Sequence, residues 1–233
     1  FNDKNGSATT ELNAWGGNGI IQIGDGTTST GQYCGASKEI MGHELTHNVI
    51  SATTKLEYLN ESGAVNEALA DFFGVAITAN RAANDYASDF IGDDVGWNLR
   101  NMNNPPDRGQ PDSYANYVSV PATSDSGGVH TNSGIINKAH TLLVKGGKFG
   151  LINVPRVGLE RVEQILWASM RFKSYPEKAT MEEFANGVLS ICGVTDGFNR
   201  LFGDTSYAAT CSAFRRAYRA VGVLPFSFAE MEL

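Results

Sequence analysis

Polar and apolar positions divide the chain into a polar, glycine-rich start and a series of helical stretches. Residues 5–34 are rich in Gly, Thr and Asn. Their one apolar run, Gly19-Ile20-Ile21-Gln22-Ile23, predicts a strand between irregular turns. Ser37 is a candidate N-cap for a helix over about 38–51. Asn60-Glu61-Ser62-Gly63 opens a second helix, about 62–82, whose Ala and Phe content predicts burial. Residues 84–128 are dominated by Asp, Asn, Gly, Ser and Pro, and so long an irregular stretch in a compact chain is usually functional. A third helix is predicted over about 133–145, stopped by Gly146-Gly147. A fourth covers about 157–172. Thr180 and Glu183 form a capping box for a fifth, reaching Cys192-Gly193. A sixth, about 205–221, ends at Gly222. The predicted class is α+β, mostly α: a short β-rich part over 1–36, then a helical lobe over 37–233.

Composition narrows the function. The 233 residues suit one large domain or two small lobes, and 42% apolar content suffices for a core. A net charge of −7 argues against a nucleic-acid partner, which needs a basic face. No apolar run is long enough to span a membrane. Of the three cysteines, Cys192 and Cys211 fall in consecutive predicted helices; a disulfide between them is compatible with the spacing but not established by it. Such a bridge fits an oxidising, extracellular setting. Cys34 is left over and reads as a small buried hydrophobe.

The candidate chemistry lies in Met41-Gly42-His43-Glu44-Leu45-Thr46-His47-Asn48. On a helix, His43 and His47 project from one face and offer two imidazoles to a zinc ion. Glu44 lies where a carboxylate can take a proton from a metal-activated water. Nineteen residues then intervene before Glu67, a third ligand on the second helix. Three protein ligands and one open position describe a catalytic zinc site. A bare H-E-x-x-H also arises by chance on half-buried helices. Here, however, two of only four histidines fall at the spacing, and a helix with paired acids follows. Taken singly, His130 reads as a surface residue, Tyr58 as a half-buried aromatic, Arg100 as a surface cation, Asp71 as an ordinary helical neighbour and Asn13 as a turn residue. His140 is assigned no role.

Together the motifs Asn13-Ala14, G-H-E-L-T-H, N-E-S-G-A-V-N-E-A-L-A-D, Leu99-Arg100 and G-G-V-H-T-N-S-G resemble the thermolysin family of zinc endopeptidases, from about Asn13 to Val223. The resemblance implies that His43, His47 and Glu67 bind one zinc and that Glu44 moves the proton of the attacking water. It implies that His130 and Tyr58 hydrogen-bond the oxyanion, Asp125 orients His130, and Arg100 holds a substrate carbonyl. Asn13 and Ala14 would line the strand that pairs with substrate. Asn66 and Asp71 would fix the ligand imidazoles, as carboxylate–histidine–zinc arrangements do. Ile40, Ile91, Val95 and Leu99 would line an apolar pocket for the residue after the cut, made roomier by Cys34 where a larger side chain is usual.

The chain also departs from the family. Most of the β-rich N-terminal lobe is missing, so exposed apolar surface is expected where it would pack. Autolysis before Phe1 is one expected origin. At the calcium positions Thr78 and Phe90 replace expected carboxylates and the loop between Val95 and Leu99 is shortened. Glu39, Asp85, Asp89, Asp93 and Asp94 remain, a partial set that predicts a weak calcium site or none. The sequence thus reads as a secreted zinc endopeptidase cutting peptides or proteins before bulky apolar residues, with a separate N-terminal lobe or a propeptide as further partners. The rival is a weak or inactive zinc-binding fragment, an autolysis product or interaction module. A metallo-aminopeptidase would need an acid beside Asn13-Ala14 placed to grip a free amine, and the sequence gives no motif that assigns this role.

Overall fold

The computed structural model of the protein describes residues 13–17, 19–24, 34–200 and 207–226, with backbone alone at Cys34 and over 195–200. Phe1, and with it the expectation of autolysis, lies outside the described residues, as does the Cys34 side chain. A hairpin comes first: β1 (Ala14–Gly17) pairs antiparallel with β2 (Ile20–Ile23), Ala14 opposite Ile23 and Gly17 opposite Ile20. Helices α1 (Lys38–Ala52) and α2 (Asn60–Ile77) follow. Strands β3 (Phe90–Ile91) and β4 (Arg100–Asn101) form a second small sheet. Helix α3 (Asp125–Lys145) precedes a third sheet, β5 (Gly147–Phe149) with β6 (Ile152–Val154). Helices α4 (Leu159–Arg171), α5 (Met181–Arg200) and α6 (Tyr207–Ala220) complete the described residues. The α+β, mostly α class follows directly.

Local chemistry explains the boundaries. The Ser37 hydroxyl accepts a hydrogen bond from Ile40 N at 3.1 Å and caps α1 as predicted. The Thr180–Glu183 box closes reciprocally: Thr180 N donates to Glu183 Oε2 at 2.9 Å and Glu183 N to Thr180 Oγ1 at 3.1 Å. Helix α2 ends five residues before the predicted 82. There the Thr78 hydroxyl turns to the Glu39 carboxylate at 2.9 Å, and an Asn80–Asp85 bridge reverses the chain. Helix α3 begins eight residues before the predicted 133, across a left-handed break at Ser126, Gly127 and Gly128 (φ 47°, 85° and 85°). That break brings the Asp125 carboxylate onto the backbone N–H groups of His130 and Thr131, at 3.1 and 3.3 Å. A polar, glycine-rich sequence therefore continues into a helix whose periodicity shows only later.

Helix α2 is the centre of the molecule, packed between α1 and α3. Ala64, Val65, Ala68, Leu69, Phe72 and Val75 are all buried, as its composition predicts. Gly74 lets α1 approach closely, since a Cβ there would lie 2.8 Å from the Glu39 carbonyl oxygen. A disulfide joins Cys192 of α5 to Cys211 of α6, with the Cα atoms 5.6 Å apart.

His140 on α3 sits wholly inside the core against the rings of Phe72, Phe184 and Tyr218, with centroids 5.4 to 6.3 Å away. Among the described residues neither ring nitrogen has a hydrogen-bond partner. Burial lowers its pKa from the ordinary 6.5 to about 3. The unfolded chain binds this proton near 6.5 and the folded chain only near 3, so stability is lost as pH falls through that window. His140→Phe is expected to remove about 2 kcal/mol of the acid sensitivity between pH 7.5 and 5. Urea unfolding of both proteins at the two pH values checks this; equal losses would show that His140 finds a proton acceptor.

Candidate functional site

One turn of α1 presents His43, Glu44 and His47, and the facing turn of α2 presents Asn66, Glu67 and Asp71; all six are buried. The Asn66 amide is oriented by its donation to Leu56 O at 3.3 Å, so its Oδ1 faces His47 Nδ1 at 2.8 Å. His43 Nδ1 lies 2.9 Å from Asp71 Oδ1, off the ideal hydrogen-bond direction. Both neighbouring oxygens only accept, so each Nδ1 carries the ring proton and each Nε2 turns a lone pair inward.

These two lone pairs meet at 3.0 Å. Glu67 Oε1 lies 3.3 Å from His47 Nε2, and Oε2 lies 3.5 Å from His43 Nε2. Oε2 is buried with no hydrogen-bond donor. Two imidazole nitrogens and a carboxylate converging this closely form a group able to hold a metal ion. A tetrahedral ion with bonds of about 2.1 Å separates its ligands by about 3.4 Å, close to what is observed. The donor set of two imidazoles and a carboxylate fits zinc.

Around this point the other candidates gather. The Glu44 carboxylate has no hydrogen-bond partner among the described residues, and burial raises its pKa above the usual carboxylate value. Tyr58 donates its hydroxyl proton to Glu67 Oε1 at 2.5 Å and stands 3.1 Å from His130 Nε2. Burial and the Glu67 charge push the Tyr58 hydroxyl up, which keeps it a donor. Asp125 Oδ1 holds His130 Nδ1 at 2.5 Å. Asp125 and Ser126 pay for this placement with left-handed backbone, φ 48° and 47°. Arg100 lies on Asp71 in a two-pronged pair, Nε to Oδ2 at 2.8 Å and Nη2 to Oδ1 at 2.5 Å.

Of these residues all but Asp71, Asp125 and Ser126 border one open cavity of about 700 Å³. Asn13, Ala14, Ile40, Ile91, Leu99 and Arg100 line it together with His43, Glu44 and His47 of α1, Tyr58, Asn66, Glu67 and His130. Val95 does not, contrary to expectation; Trp97 lines the cavity instead. The backbone of the turn accounts for this. Gly92, Gly96 and Asn98 all take left-handed φ, and Trp97 N bonds back to Gly92 O at 2.9 Å. That tight turn brings Trp97 to the cavity. Trp15 and Gly16 of β1 and Ser51 and Leu56 also line it without having been predicted. Only Trp15, next to Asn13-Ala14 on an alternating strand, carried a sequence signal.

The acids near the expected calcium position divide into two groups. Asp85 and Asp89 pair with Lys145 at 3.2 and 3.1 Å. Glu39, Asp93 and Asp94 bring carboxylate oxygens within 4.8 Å of one another. Of these, Glu39 already accepts from Thr78 and from Gly92 N at 2.7 Å, and Asp94 from Lys38 N at 2.8 Å. Three partly engaged carboxylates remain short of the six to eight oxygens calcium takes.

Residues 54–223 match the family model described as thermolysin metallopeptidase, alpha-helical domain. The chain belongs to the thermolysin family. Within it, the chain is 36% identical over 217 residues to a bacillolysin of Bacillus caldolyticus and to a thermolysin of Alicyclobacillus acidocaldarius, covering 90% of itself and 37% of each relative. A zinc metalloproteinase of Renibacterium salmoninarum is 33% identical over 230 residues, 94% of this chain and 40% of that one. The chain thus spans well under half the length of these thermolysin-family relatives. The fold is shared with the solved precursor of protealysin, a metalloproteinase from Serratia proteamaculans, at a TM-score of 0.71 and 22% identity over 94% of this chain and 67% of that one.

Proposed function

We propose that this chain is the zinc-binding catalytic part of a secreted endopeptidase that cuts peptide bonds before bulky apolar residues. The observation that carries the reading is the convergence of His43, His47 and Glu67 on one point, with the unpartnered Glu44 carboxylate beside it. Zinc, when bound by these three, supplies Lewis acidity to the scissile carbonyl and to water. Glu44 takes the proton of the attacking water and delivers it to the leaving nitrogen. Tyr58 donates to the oxyanion as it forms; His130 donates from Nε2 with its ring protonated, the form in which the Asp125 carboxylate on Nδ1 balances the charge. Arg100, held on one side by Asp71, grips a substrate carbonyl with the donors that remain.

The apolar side chain after the cut enters beside Ile40, Ile91 and Leu99, so Leu and Phe suit it. In this reading residues 1–36 belong to the β-rich lobe and 37–233 to the helical one. The Cys192–Cys211 disulfide supports an extracellular setting. No described helix is long and apolar enough to cross a membrane.

The test is digestion of a peptide library by the chain loaded with one equivalent of zinc, with products mapped by mass spectrometry. Cuts before Leu, Ile or Phe that vanish with a zinc chelator and return with added zinc are expected. Full zinc occupancy without cleavage would overturn the reading in favour of a zinc-binding fragment that lacks activity by itself.

A further inference from the structure

The hairpin β1–β2 forms one wall of the cavity, through Asn13 to Gly17. Among the described residues only one edge of β1 is paired, to β2, and its other edge is available to an extended peptide. A two-stranded ribbon is barely stable alone, so its use as a template depends on what anchors it. Among the described residues its hydrogen bonds to α1 all pass through one side chain, Asn48, which directly follows His47. The Asn48 Oδ1 accepts from Gly19 N at 2.7 Å, and its Nδ2 donates to Ile20 O at 3.0 Å. The same Nδ2 lies 3.2 Å from Glu44 O, one turn back on α1. One amide thus serves both a donor and an acceptor at the hairpin turn while staying tied to the turn of helix that carries Glu44.

A second contact makes this anchorage a matter of position. A Cβ on Gly16 would lie 1.9 Å from the Glu44 carbonyl oxygen, so the backbone of β1 rests directly on α1 there. The strand touches the helix at Gly16 and is pinned beyond its end at Gly19 and Ile20. Two points on a short ribbon fix both its height and its direction relative to His43, Glu44 and His47.

We infer that Asn48 is a positioning residue for the proposed peptidase reaction, clamping the open edge of β1 in line with the zinc ligands. The inference rests on the proposed function for its consequence in catalysis, and on the hydrogen bonds above for the clamp itself. Asn48 is not one of the three candidate ligands and does not line the cavity. Its loss should weaken extended substrates, which use the strand, more than short ones, which do not.

The test compares zinc-loaded wild type, Asn48→Ala and Asn48→Asp. Asp keeps the acceptor for Gly19 N and loses the donor to Ile20 O, so it should fall between the other two. By hydrogen exchange read with mass spectrometry, amides of residues 14–24 in Asn48→Ala should exchange about tenfold faster, the scale of two lost neutral hydrogen bonds, while α1 and α2 stay protected. In kinetics, KM for peptides reaching several residues before the cut should rise about tenfold with kcat nearly constant, and KM for a minimal substrate should stay unchanged. Unchanged exchange in the hairpin, or equal losses on long and short substrates, would overturn the inference. If wild type itself shows no chelator-sensitive cleavage, the functional reading has failed, and the exchange result alone then upholds or overturns the clamp.

Discussion

Glu44→Gln is expected to lower kcat on an apolar peptide by about 10²–10⁴-fold, the range that a positioned general base contributes. The amide has the shape of the carboxylate but cannot take a proton. Glu44 is buried beside the three candidate ligands, and no protein donor occupies its oxygens among the described residues. Its carboxylate is therefore free for water. The ligands are untouched by the substitution, so zinc content should stay at one per chain and the thermal midpoint should change little. Steady-state kinetics with metal analysis on the same sample decide the matter. A variant that keeps more than a tenth of wild-type kcat would assign the proton transfer to another group. Loss of zinc together with activity would make Glu44 part of the metal site instead.

Asp71→Ala is expected to destabilise the metal-free protein by about 3–5 kcal/mol, the cost of stranding a buried charge. Asp71 is fully buried and serves three neighbours. It takes Nε and Nη2 of Arg100, accepts from Asn137 Nδ2 at 2.8 Å, and faces His43 Nδ1 at 2.9 Å. Burial alone would raise its pKa, but Arg100 and His43 outweigh this and hold it at about 2. Its folded pKa lies below the ordinary 3.8, so its contribution is present above pH 3.8 and is lost as pH falls through 2. Urea unfolding at neutral pH in a chelator measures the effect without the metal. Zinc affinity should fall as well, by about 10–100-fold, because His43 loses the partner that orients its ring. A stability loss under about 1 kcal/mol would mean that Arg100 is solvated through the cavity and that the pair is dispensable.

Both predictions act on groups that the sequence had marked. The four-residue interval between His43 and His47 puts two imidazoles on one face of any helix, whatever surrounds it. The same holds for Glu67 and Asp71, where one carboxylate reaches both imidazoles and the next reaches the His43 ring. The burial of α2 was legible in its Ala and Phe content. The ends of α1 and α5 were legible in Ser37 and in the Thr180–Glu183 box. These readings succeed because each depends on chain separations of a few residues, where backbone geometry leaves little choice.

Elsewhere the same local reasoning went astray for a physical reason. The start of α3 was placed at 133 because Ser126-Gly127-Gly128 reads as a turn; they do adopt left-handed backbone, yet Asp125 caps the helix that resumes at once. Val95 was assigned to the cavity by the family resemblance, but a turn with three left-handed residues brings Trp97 there instead. Asn48 gave no signal at all, because an Asn on a helix face is unremarkable until its partners 28 and 29 residues away are known. By itself, then, the sequence determined the metal-ligand spacing, the buried helix that carries Glu67 and the mostly helical class, since all of these follow from helical periodicity. The walls of the cavity, the neighbours of each catalytic candidate and the anchorage of the edge strand were decided only by tertiary structure, because they depend on where turns and distant backbone groups meet in space.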